Sequence, residues 1–401
     1  MRPLAITHHT LVTALGHGRQ ATFEALRDGR TGLARRGFET ADIGSWLGVV
    51  DGVDGLDDID WREDLAAFDC RNNRLAELAL RSDGFADAVC AASARWGAAR
   101  VGVFLGTSTS GILQTEVAYR HRDAATGALP ESLHYGETHN TASVARYVRA
   151  ALGVTGPACV VSTACSSSAK VYAAAERLIR LGLIDAAVVG GVDSLCMTTL
   201  YGFKALELSS GEICRPWDAT RAGLSIGEAA AFALLEREGG AAPARAMGWL
   251  LGAGESSDGH HMSSPHPEGA GAALAMRAAL AQAGLRPDDV DYLNLHGTGT
   301  PGNDAAEDRA VCAVFSRSLP CSSTKGYTGH TLGAAGGVEA SIALLALQHG
   351  LAPPSLNLRQ QDSALHASLL REPLHKRLKV VASNSFGFGG SNASLVFGAA
   401  S

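Results

Sequence analysis

Short, almost fully apolar stretches alternate with longer stretches of helical periodicity along the chain. The stretches Arg100–Gly106 and Ala186–Val192 contain hardly a polar residue, which is typical of strands that are buried on both faces. The predicted strands cover Leu4–Thr7, Arg100–Gly106, Cys159–Thr163, Ala186–Val192, Ala229–Leu235, 246–254, Val290–Leu295, Leu319–Ser322, Lys379–Ser383 and Ala393–Phe397. The predicted helices cover Thr22–Arg27, Asn72–Leu80, Thr141–Leu152, Ser166–Leu183, 270–283, Asp304–Phe315 and Leu332–His349.

This alternation favours an α/β architecture in which helices cover both faces of the sheets. A segment of small residues and proline, 239–243, separates two halves that each offer about five strands. We therefore predict an N-terminal half, residues 1–243, and a C-terminal half, residues 244–401, built on one plan. The helices at 169–180 and 332–348 are apolar nearly all round, so we expect them to form a buried layer between two sheets.

Composition narrows the function. The chain has 401 residues, of which 46% are hydrophobic, and its net charge is −6 without a dense Lys/Arg run, which argues against nucleic acid or an anionic membrane as a partner. Polar residues from His8 onward interrupt the first apolar stretch, which argues against a signal peptide. No apolar run is long enough for a transmembrane helix. The eight cysteines form no CxxC pair, so we expect neither zinc nor disulfides but a reducing, cytoplasmic setting.

Cys165 stands at the sharpest break in the pattern. The apolar residues Val160 and Val161 give way to the small residues Ser162 to Ser168, and a helical pattern follows at once. A thiol at the first turn of a helix meets unpaired backbone N–H groups and the positive end of the helix dipole, and both favour the nucleophilic thiolate. Free cysteine is also common as a buried structural residue, so this stretch alone leaves both interpretations open.

Two histidines occupy similar junctions. His296 follows the predicted strand Val290–Leu295, and His330 precedes the predicted helix Leu332–His349. A lone histidine is more often structural than catalytic. Two histidines and a cysteine at three such junctions favour a shared active site at one edge of the sheets.

Two other motifs point to different chemistry and are weaker. Gly297 to Gly302 match the spacing of a dinucleotide-binding loop, but no acidic residue ends the following strand and Pro301 interrupts the turn. His260 and His261 are adjacent on a polar loop. Adjacent histidines rarely bind one ion, so we interpret this loop as a substrate-entry loop and expect no metal site.

Several motifs, in this order and spacing, resemble the β-ketoacyl synthases of the thiolase superfamily. They are STACSSS (162–168), RPWDATRAGLSIGEAAAFALLE (215–236), NLHGTGTPGND (294–304), STKGYTGHTLGAAGGVEA (323–340) and SNSFGFGGSNASLVF (383–397). They are most similar to condensing enzymes that elongate chains on acyl carrier protein in fatty acid, type II polyketide or aryl-polyene pathways. The resemblance implies a duplicated α/β fold in five layers, αβαβα, in a homodimer or a ketosynthase heterodimer.

The resemblance also implies a role for each matching residue. Cys165 would be the acylated nucleophile, and His296 and His330 would bind the malonyl thioester carbonyl and stabilise the enolate. Lys325 would support the electrostatics of the two histidines. Glu339 would give structural support. Phe388 would gate the site, and its backbone N–H would form the oxyanion hole together with that of Cys165. Of the remaining positions, Thr298 and Thr300 would bind the phosphopantetheine arm, and Thr109 and Phe203 would line the acyl pocket.

These residue types suit the implied reaction, the decarboxylative Claisen condensation of a cysteine-bound acyl chain with malonyl-ACP to 3-oxoacyl-ACP. Cysteine is intrinsically nucleophilic toward thioesters, and two neutral histidine N–H donors can stabilise an enolate in a dry pocket. No cofactor is implied, because phosphopantetheine on acyl carrier protein delivers the substrates.

Two related functions stay open as alternatives. A non-catalytic chain-length-factor subunit would lack the nucleophile, whereas this chain carries Cys165. A thiolase would need a second catalytic cysteine near the C-terminus, but the last cysteine is Cys321 and the GFGG segment carries Phe388 instead. A CoA-primed condensing enzyme would differ in its acyl donor. Ala14, in place of the family's usual glycine, and the run Ser166 to Ser168 indicate a specialised pathway.

Overall fold

A computed structural model describes residues 3–54, 63–238 and 246–400. The predicted boundary at residue 243 lies outside these ranges. The strands of the first half are β1 (Leu4–Thr13), β2 (Gly16–His17), β3 (Ala34–Arg35), β4 (Trp46–Gly48), β5 (Val101–Gly106), β6 (Ala158–Val161), β7 (Ala186–Asp193), β8 (Ile226–Gly227) and β9 (Ala229–Glu236). Its helices are α1 (Gly18–Arg27), α2 (Arg71–Arg81), α3 (Phe85–Trp96), α4 (Ile112–Arg120), α5 (Ser143–Ala151), α6 (Ser167–Arg180) and α7 (Met197–Ala205).

The second half has fewer helices and a comparable set of strands. Its strands are β10 (Gly248–Ser257), β11 (Tyr292–Asn294), β12 (Pro320–Ser322), β13 (Leu351–Ala352), β14 (Ser368–Leu369), β15 (Leu374–His375), β16 (Val380–Gly387) and β17 (Ser391–Ala399). Its helices are α8 (Ala270–Ala283), α9 (Pro301–Val314), α10 (Lys325–Thr328) and α11 (Ala335–His349), and a short 3-10 turn, Leu332–Ala334, precedes α11.

The strand order is the same in both halves. The first half runs β6-β5-β7-β9-β1 and the second runs β12-β11-β16-β17-β10, with β14 added at the far edge. Numbered within its own half, each set has the order 3-2-4-5-1. The three outer strands are parallel and the remaining neighbours are antiparallel in both. The two sets join edge to edge, where Leu4–Ile6 of β1 pair with Gly248–Leu250 of β10.

Helices α6 and α11 lie between the two sets of strands. Helix α11 contacts β9 of the first half and β16 of the second, and α6 packs on both β7 and α11. The helices α2, α3 and α5 cover the outer face of the first half. In the second half α8 packs on β10 and β17, and α9 packs on α8 and shares a hydrophobic cluster with β11 and β17. This arrangement confirms the predicted α/β fold in five layers.

The structure differs from the predicted elements in a few places. The helices α3, α4 and α7 fall in stretches that the periodicity left unassigned. Residues 335–347 of α11 are all buried, as expected for the central layer, but α6 exposes Arg177 and Arg180. Arg177 pairs with Glu255 of β10 at 2.7 Å, so α6 has one charged face and is less apolar than predicted.

Candidate active site

The turn between β6 and α6 carries Cys165. Strand β6 ends at Val161, and Ala164 adopts a left-handed backbone with φ 51°. The hydroxyl of Ser167 donates to the carbonyl oxygen of Ala164 at 2.5 Å and accepts the N–H of Thr163 at 2.9 Å. These bonds fix the turn, and Cys165 lies buried in it with 5% of its surface exposed.

Small residues let the first turn of α6 approach both the end of β5, at Gly106, and the first turn of α11. A Cβ atom added to Gly106 would lie 2.2 Å from the backbone nitrogen of Ser168, and one on Gly336 would lie 2.6 Å from that of Ala169. The hydroxyl of Ser168 accepts the N–H of Gly337 at 2.9 Å. Close packing and one hydrogen bond thus set the position of one helix start against the other.

This contact brings His330 to the thiol. Its Nε2 lies 3.0 Å from Sγ of Cys165. The backbone of His330 is held by Ser225, whose carbonyl oxygen accepts its N–H at 2.7 Å. The ring of His296 stands edge-on to that of His330, with the ring centroids 5.2 Å apart. The structure therefore brings together the three residues that the sequence placed at separate junctions.

A buried ion pair lies behind the histidines. Nζ of Lys325 donates to Glu339 and to the carbonyl oxygen of His296, and it lies 3.4 Å from Nδ1 of the same histidine. Glu307 accepts the backbone N–H groups of His296 and Gly297, each at 2.8 Å. The main chain and the side chain of His296 are therefore held from two directions.

Burial dominates the electrostatics of the site. Burial raises the pKa of the Cys165 thiol to about 12, opposed by the positive charge of Lys325. Burial, together with the charge of Lys325, lowers the pKa values of His296 and His330 well below the usual value. Desolvation of the sulfur therefore opposes the thiolate that we predicted from the start of the helix. Burial therefore favours a neutral thiol beside two neutral imidazoles.

A cavity of about 340 Å³ leads to the thiol. The residues that line it include the predicted site residues Cys165, His296, His330, Thr298, Thr300, Phe203 and Phe388. The hydroxyls of the two threonines are 2.8 Å apart, and the rings of the two phenylalanines are 5.6 Å apart between centroids.

The segment that carries Phe388 lies against the nucleophile turn. A Cβ atom on Gly387 would lie 2.6 Å from the carbonyl oxygen of Thr163. Gly389 follows with φ 80°, and its N–H donates to the carbonyl oxygen of Met262 at 2.7 Å. Phe388 therefore stands between the nucleophile turn and the polar loop that carries Met262.

Thr109 lies elsewhere. It is buried, its hydroxyl donates to Asp193 at 2.8 Å, and it is not among the residues that line the cavity. Sequence reasoning also missed Glu307, Ser168 and Asp193. An acidic residue that ends an apolar strand, as Asp193 ends β7, is a signal that could have been used.

The polar loop holds no metal arrangement. His260 and His266 have ring centroids 5.2 Å apart, and within the described ranges no group of three or more His, Cys, Asp or Glu side chains is placed to hold an ion. Across the same ranges, no helix is both long and apolar enough to cross a membrane.

Comparisons with known proteins agree with this geometry. Residues 1–241 match the family described as beta-ketoacyl synthase, N-terminal domain, and residues 247–359 match beta-ketoacyl synthase, C-terminal domain. The 3-oxoacyl-[acyl-carrier-protein] synthase 2 of Vibrio cholerae is 31% identical over 99% of both chains. The mitochondrial 3-oxoacyl-[acyl-carrier-protein] synthase of Arabidopsis thaliana is 41% identical over 61% of this chain and 57% of that protein.

A solved structure extends the likeness to the fold. A chain of the solved complex between the ketosynthase ApeO and its chain length factor ApeC, from Xenorhabdus doucetiae, superposes with a TM-score of 0.89 and 37% identity, covering 100% of this chain and 98% of that one. The two family matches together cover most of the chain, and the Vibrio cholerae relative and the solved structure cover 99% and 100% of it. The chain belongs to the beta-ketoacyl synthase family.

Proposed function

We propose that this protein condenses a cysteine-bound acyl chain with malonyl-ACP, releasing CO₂ and 3-oxoacyl-ACP. The observation that carries the proposal is the 3.0 Å contact between Nε2 of His330 and Sγ of Cys165 in a cavity that His296 also lines. A thiol with two adjacent neutral imidazoles fits thioester exchange followed by enolate formation.

In the first step, the sulfur of Cys165 attacks the thioester carbonyl of the acyl donor. The thiol proton passes to Nε2 of His330 and then to the departing pantetheine sulfur, so the acyl group changes thiols and no net charge is created. The backbone N–H groups of Cys165 and Phe388 are the proposed donors to the oxyanion. The thiol starts protonated, which makes this proton transfer part of the attack.

In the second step, the malonyl thioester oxygen lies between His296 and His330. Cleavage of the bond to the carboxylate releases CO₂ and leaves an enolate, whose oxygen accepts hydrogen bonds from His296 and from His330 after the ring proton of His330 has moved from Nδ1 to Nε2. The enolate carbon then attacks the acyl carbonyl, and the expelled Cys165 sulfur takes up one proton. Neutral histidines suit this step, because the charge that they stabilise exists only after CO₂ has left.

The remaining assignments concern the substrate arm and its entry. Thr298 and Thr300 are proposed to hydrogen-bond phosphopantetheine, since their hydroxyls line the cavity. Phe203 is proposed to border the acyl chain, and Phe388 to gate its entry. Thr109 is proposed to act on the acyl pocket only indirectly, through the loop that it holds. No cofactor takes part in the proposed reaction.

The proposed partners are acyl carrier protein and a second subunit, either a copy of this chain or a chain-length factor. Strand β6 ends the first set of strands, and Cys159 on it is exposed. An open edge strand favours pairing with another strand, which supports a dimer. Likeness to 3-oxoacyl-[acyl-carrier-protein] synthases and to a complex of a ketosynthase with its chain length factor supports a fatty acid, polyketide or aryl-polyene pathway. The eight free cysteines support a cytoplasmic setting.

Intact-protein mass spectrometry tests the proposal. After incubation with acyl-ACP, the protein is expected to gain one acyl mass. Cys165→Ala should abolish the gain, and Cys90→Ala, which alters an exposed cysteine, should keep it. Adding malonyl-ACP should discharge the acyl group as 3-oxoacyl-ACP. If acyl-CoA acylates Cys165 far faster than acyl-ACP, the CoA-primed alternative replaces the proposal.

A further inference from the structure

Asp193 is a buried carboxylate that the proposed mechanism does not use. It ends strand β7 and is fully buried. Its Oδ1 accepts the hydroxyls of Thr107 at 2.6 Å and Thr109 at 2.8 Å, and the backbone N–H groups of Ser108 at 2.8 Å and Thr109 at 2.9 Å. The loop that follows β5 is therefore gathered around one carboxylate oxygen.

The other oxygen reaches the second half of the chain. Oδ2 of Asp193 accepts the N–H of Gly333 at 2.5 Å and the hydroxyl of Ser108 at 2.5 Å. Gly333 is three residues beyond His330, and between them Leu332 adopts a left-handed backbone with φ 51°. A turn with such a residue is unfavourable by itself and needs contacts that hold it. The N–H bond from Gly333 to Asp193 is one of them.

The fit around this contact is tight. A Cβ atom on Gly333 would lie 2.6 Å from Oδ2 of Asp193 and 2.6 Å from the backbone nitrogen of Ser108. A Cβ atom on Gly191, two residues before the carboxylate, would lie 3.1 Å from the carbonyl oxygen of Gly333. The turn after His330 thus rests directly on the end of β7, and the carboxylate is its polar anchor there.

We infer that Asp193 is the positioning residue that holds His330 against Cys165, by tying the turn after His330 to the loop after β5. The inference rests on the proposed function of these two residues. The negative charge of Asp193 also acts on the thiol of Cys165. Burial is the main cause that raises the pKa of Cys165, the charge of Lys325 lowers it, and the charges of Asp193 and Glu339 raise it further.

Asp193→Asn tests the inference with little change of shape. The asparagine side chain puts an N–H₂ group in place of one carboxylate oxygen. At either position this group would face backbone N–H donors and could not accept their hydrogen bonds. We expect acyl transfer to Cys165 to slow on the order of tenfold to 100-fold, the range for a displacement of about 1 Å. Ser108→Ala is the matched control, because it removes one hydroxyl from Oδ2 and keeps the N–H of Gly333; we expect a loss of less than about threefold.

The pH dependence of alkylation by iodoacetamide gives a readout that needs no acyl substrate. Removing the negative charge of Asp193 while Lys325 and Glu339 remain should move the midpoint for Cys165 alkylation to lower pH. Gly333→Ala keeps the negative charge of Asp193 but displaces the turn after His330. It should therefore slow acyl transfer without the shift of the alkylation midpoint that loss of this charge causes.

The two hypotheses fail in different ways. If wild-type protein is not acylated by acyl-ACP, the proposed function fails, whereas the alkylation profile still reports on Asp193. If folded Asp193→Asn transfers acyl groups at the wild-type rate with an unchanged midpoint, the inference is overturned. Should Asp193→Asn not fold, wild-type acyl transfer in folded Gly333→Ala overturns it equally.

Discussion

Replacing Gly106 by alanine should separate the nucleophile from His330. The added Cβ would lie 2.2 Å from the backbone nitrogen of Ser168, so one of them must retreat by about 1.2 Å to reach ordinary contact at 3.4 Å. Ser168 belongs to the first turn of α6, directly after Cys165. Displacing that turn by about 1 Å acts on the 3.0 Å contact between Sγ and Nε2 of His330.

The expected effects have two magnitudes. Overpacking of this kind costs about 1–3 kcal/mol of unfolding free energy. A misplacement of about 1 Å lowers the rate of a positioned reaction on the order of 100-fold. Acylation of Cys165 in Gly106→Ala should therefore fall by roughly that factor while the protein still folds, measured by quenched-flow mass spectrometry beside thermal denaturation.

A second glycine offers the control. Gly202 lies exposed on α7, and a Cβ atom there would meet nothing within 4 Å. Gly202→Ala should keep the acylation rate and stabilise the protein by about 0.5–1 kcal/mol, as alanine does in an exposed helix. Equal acylation rates in Gly106→Ala, Gly202→Ala and wild type would refute the reasoning that the packing of the start of α6 on the end of β5 sets the distance between the reacting groups.

Three further predictions concern the residues behind the thiol. His296→Ala should keep acyl transfer within about tenfold but lower release of CO₂ from malonyl-ACP on the order of 100-fold, because His330 makes the 3.0 Å contact with the sulfur; equal losses in both assays would contradict it. Lys325→Met should lower the free energy of unfolding in urea by about 3–5 kcal/mol at pH 8, because it leaves the buried carboxylate of Glu339 without its cation. The loss should be smaller at pH 6, since burial raises the pKa of Glu339 to about 7 and the carboxyl is then protonated. The double variant with Glu339→Gln should recover stability but not activity. Burial raises the pKa of Glu307 from 4.5 to about 7, so folding favours its protonated form; between pH 4.5 and 7.5 this group should remove about 3 kcal/mol of stability, and Glu307→Gln should flatten that slope.

The sequence predicted the frame well because the strands are buried on both faces. Apolar runs such as Ala186–Val192 need no tertiary information to be recognised, and the structure extends that run by one residue, to Asp193. The helix α7 was missed because Met197–Ala205 contains two threonines and a glycine and buries only Leu200. Helix α3 carried an available signal, since Phe85, Val89 and Ala92 recur at helical spacing and are all buried.

The site was predictable in its residues but not in its electrostatics. Cys165, His296 and His330 stand at strand ends and helix starts, which a sequence pattern can locate. The state of the thiol depends on how much water the fold removes from it, and that quantity follows from the packing of α6 on α11. Glu307 and Asp193 accept backbone N–H groups that lie 10 and 140 residues away along the chain. The position of Asp193 at the end of an apolar strand marks the residue itself, but it does not indicate that partner.

The repeated strand order has a consequence for how the chemistry is divided. Cys165 follows the third strand of the first half, and His330 follows the third strand of the second. The nucleophile and the imidazole therefore come from equivalent positions in the two halves. Each copy of the frame needs to supply only half of a reacting pair. A residue change after one of these strands therefore alters one partner of the pair directly. It reaches the other partner through contacts between the two halves, such as the bond from the N–H of Gly337 to the hydroxyl of Ser168.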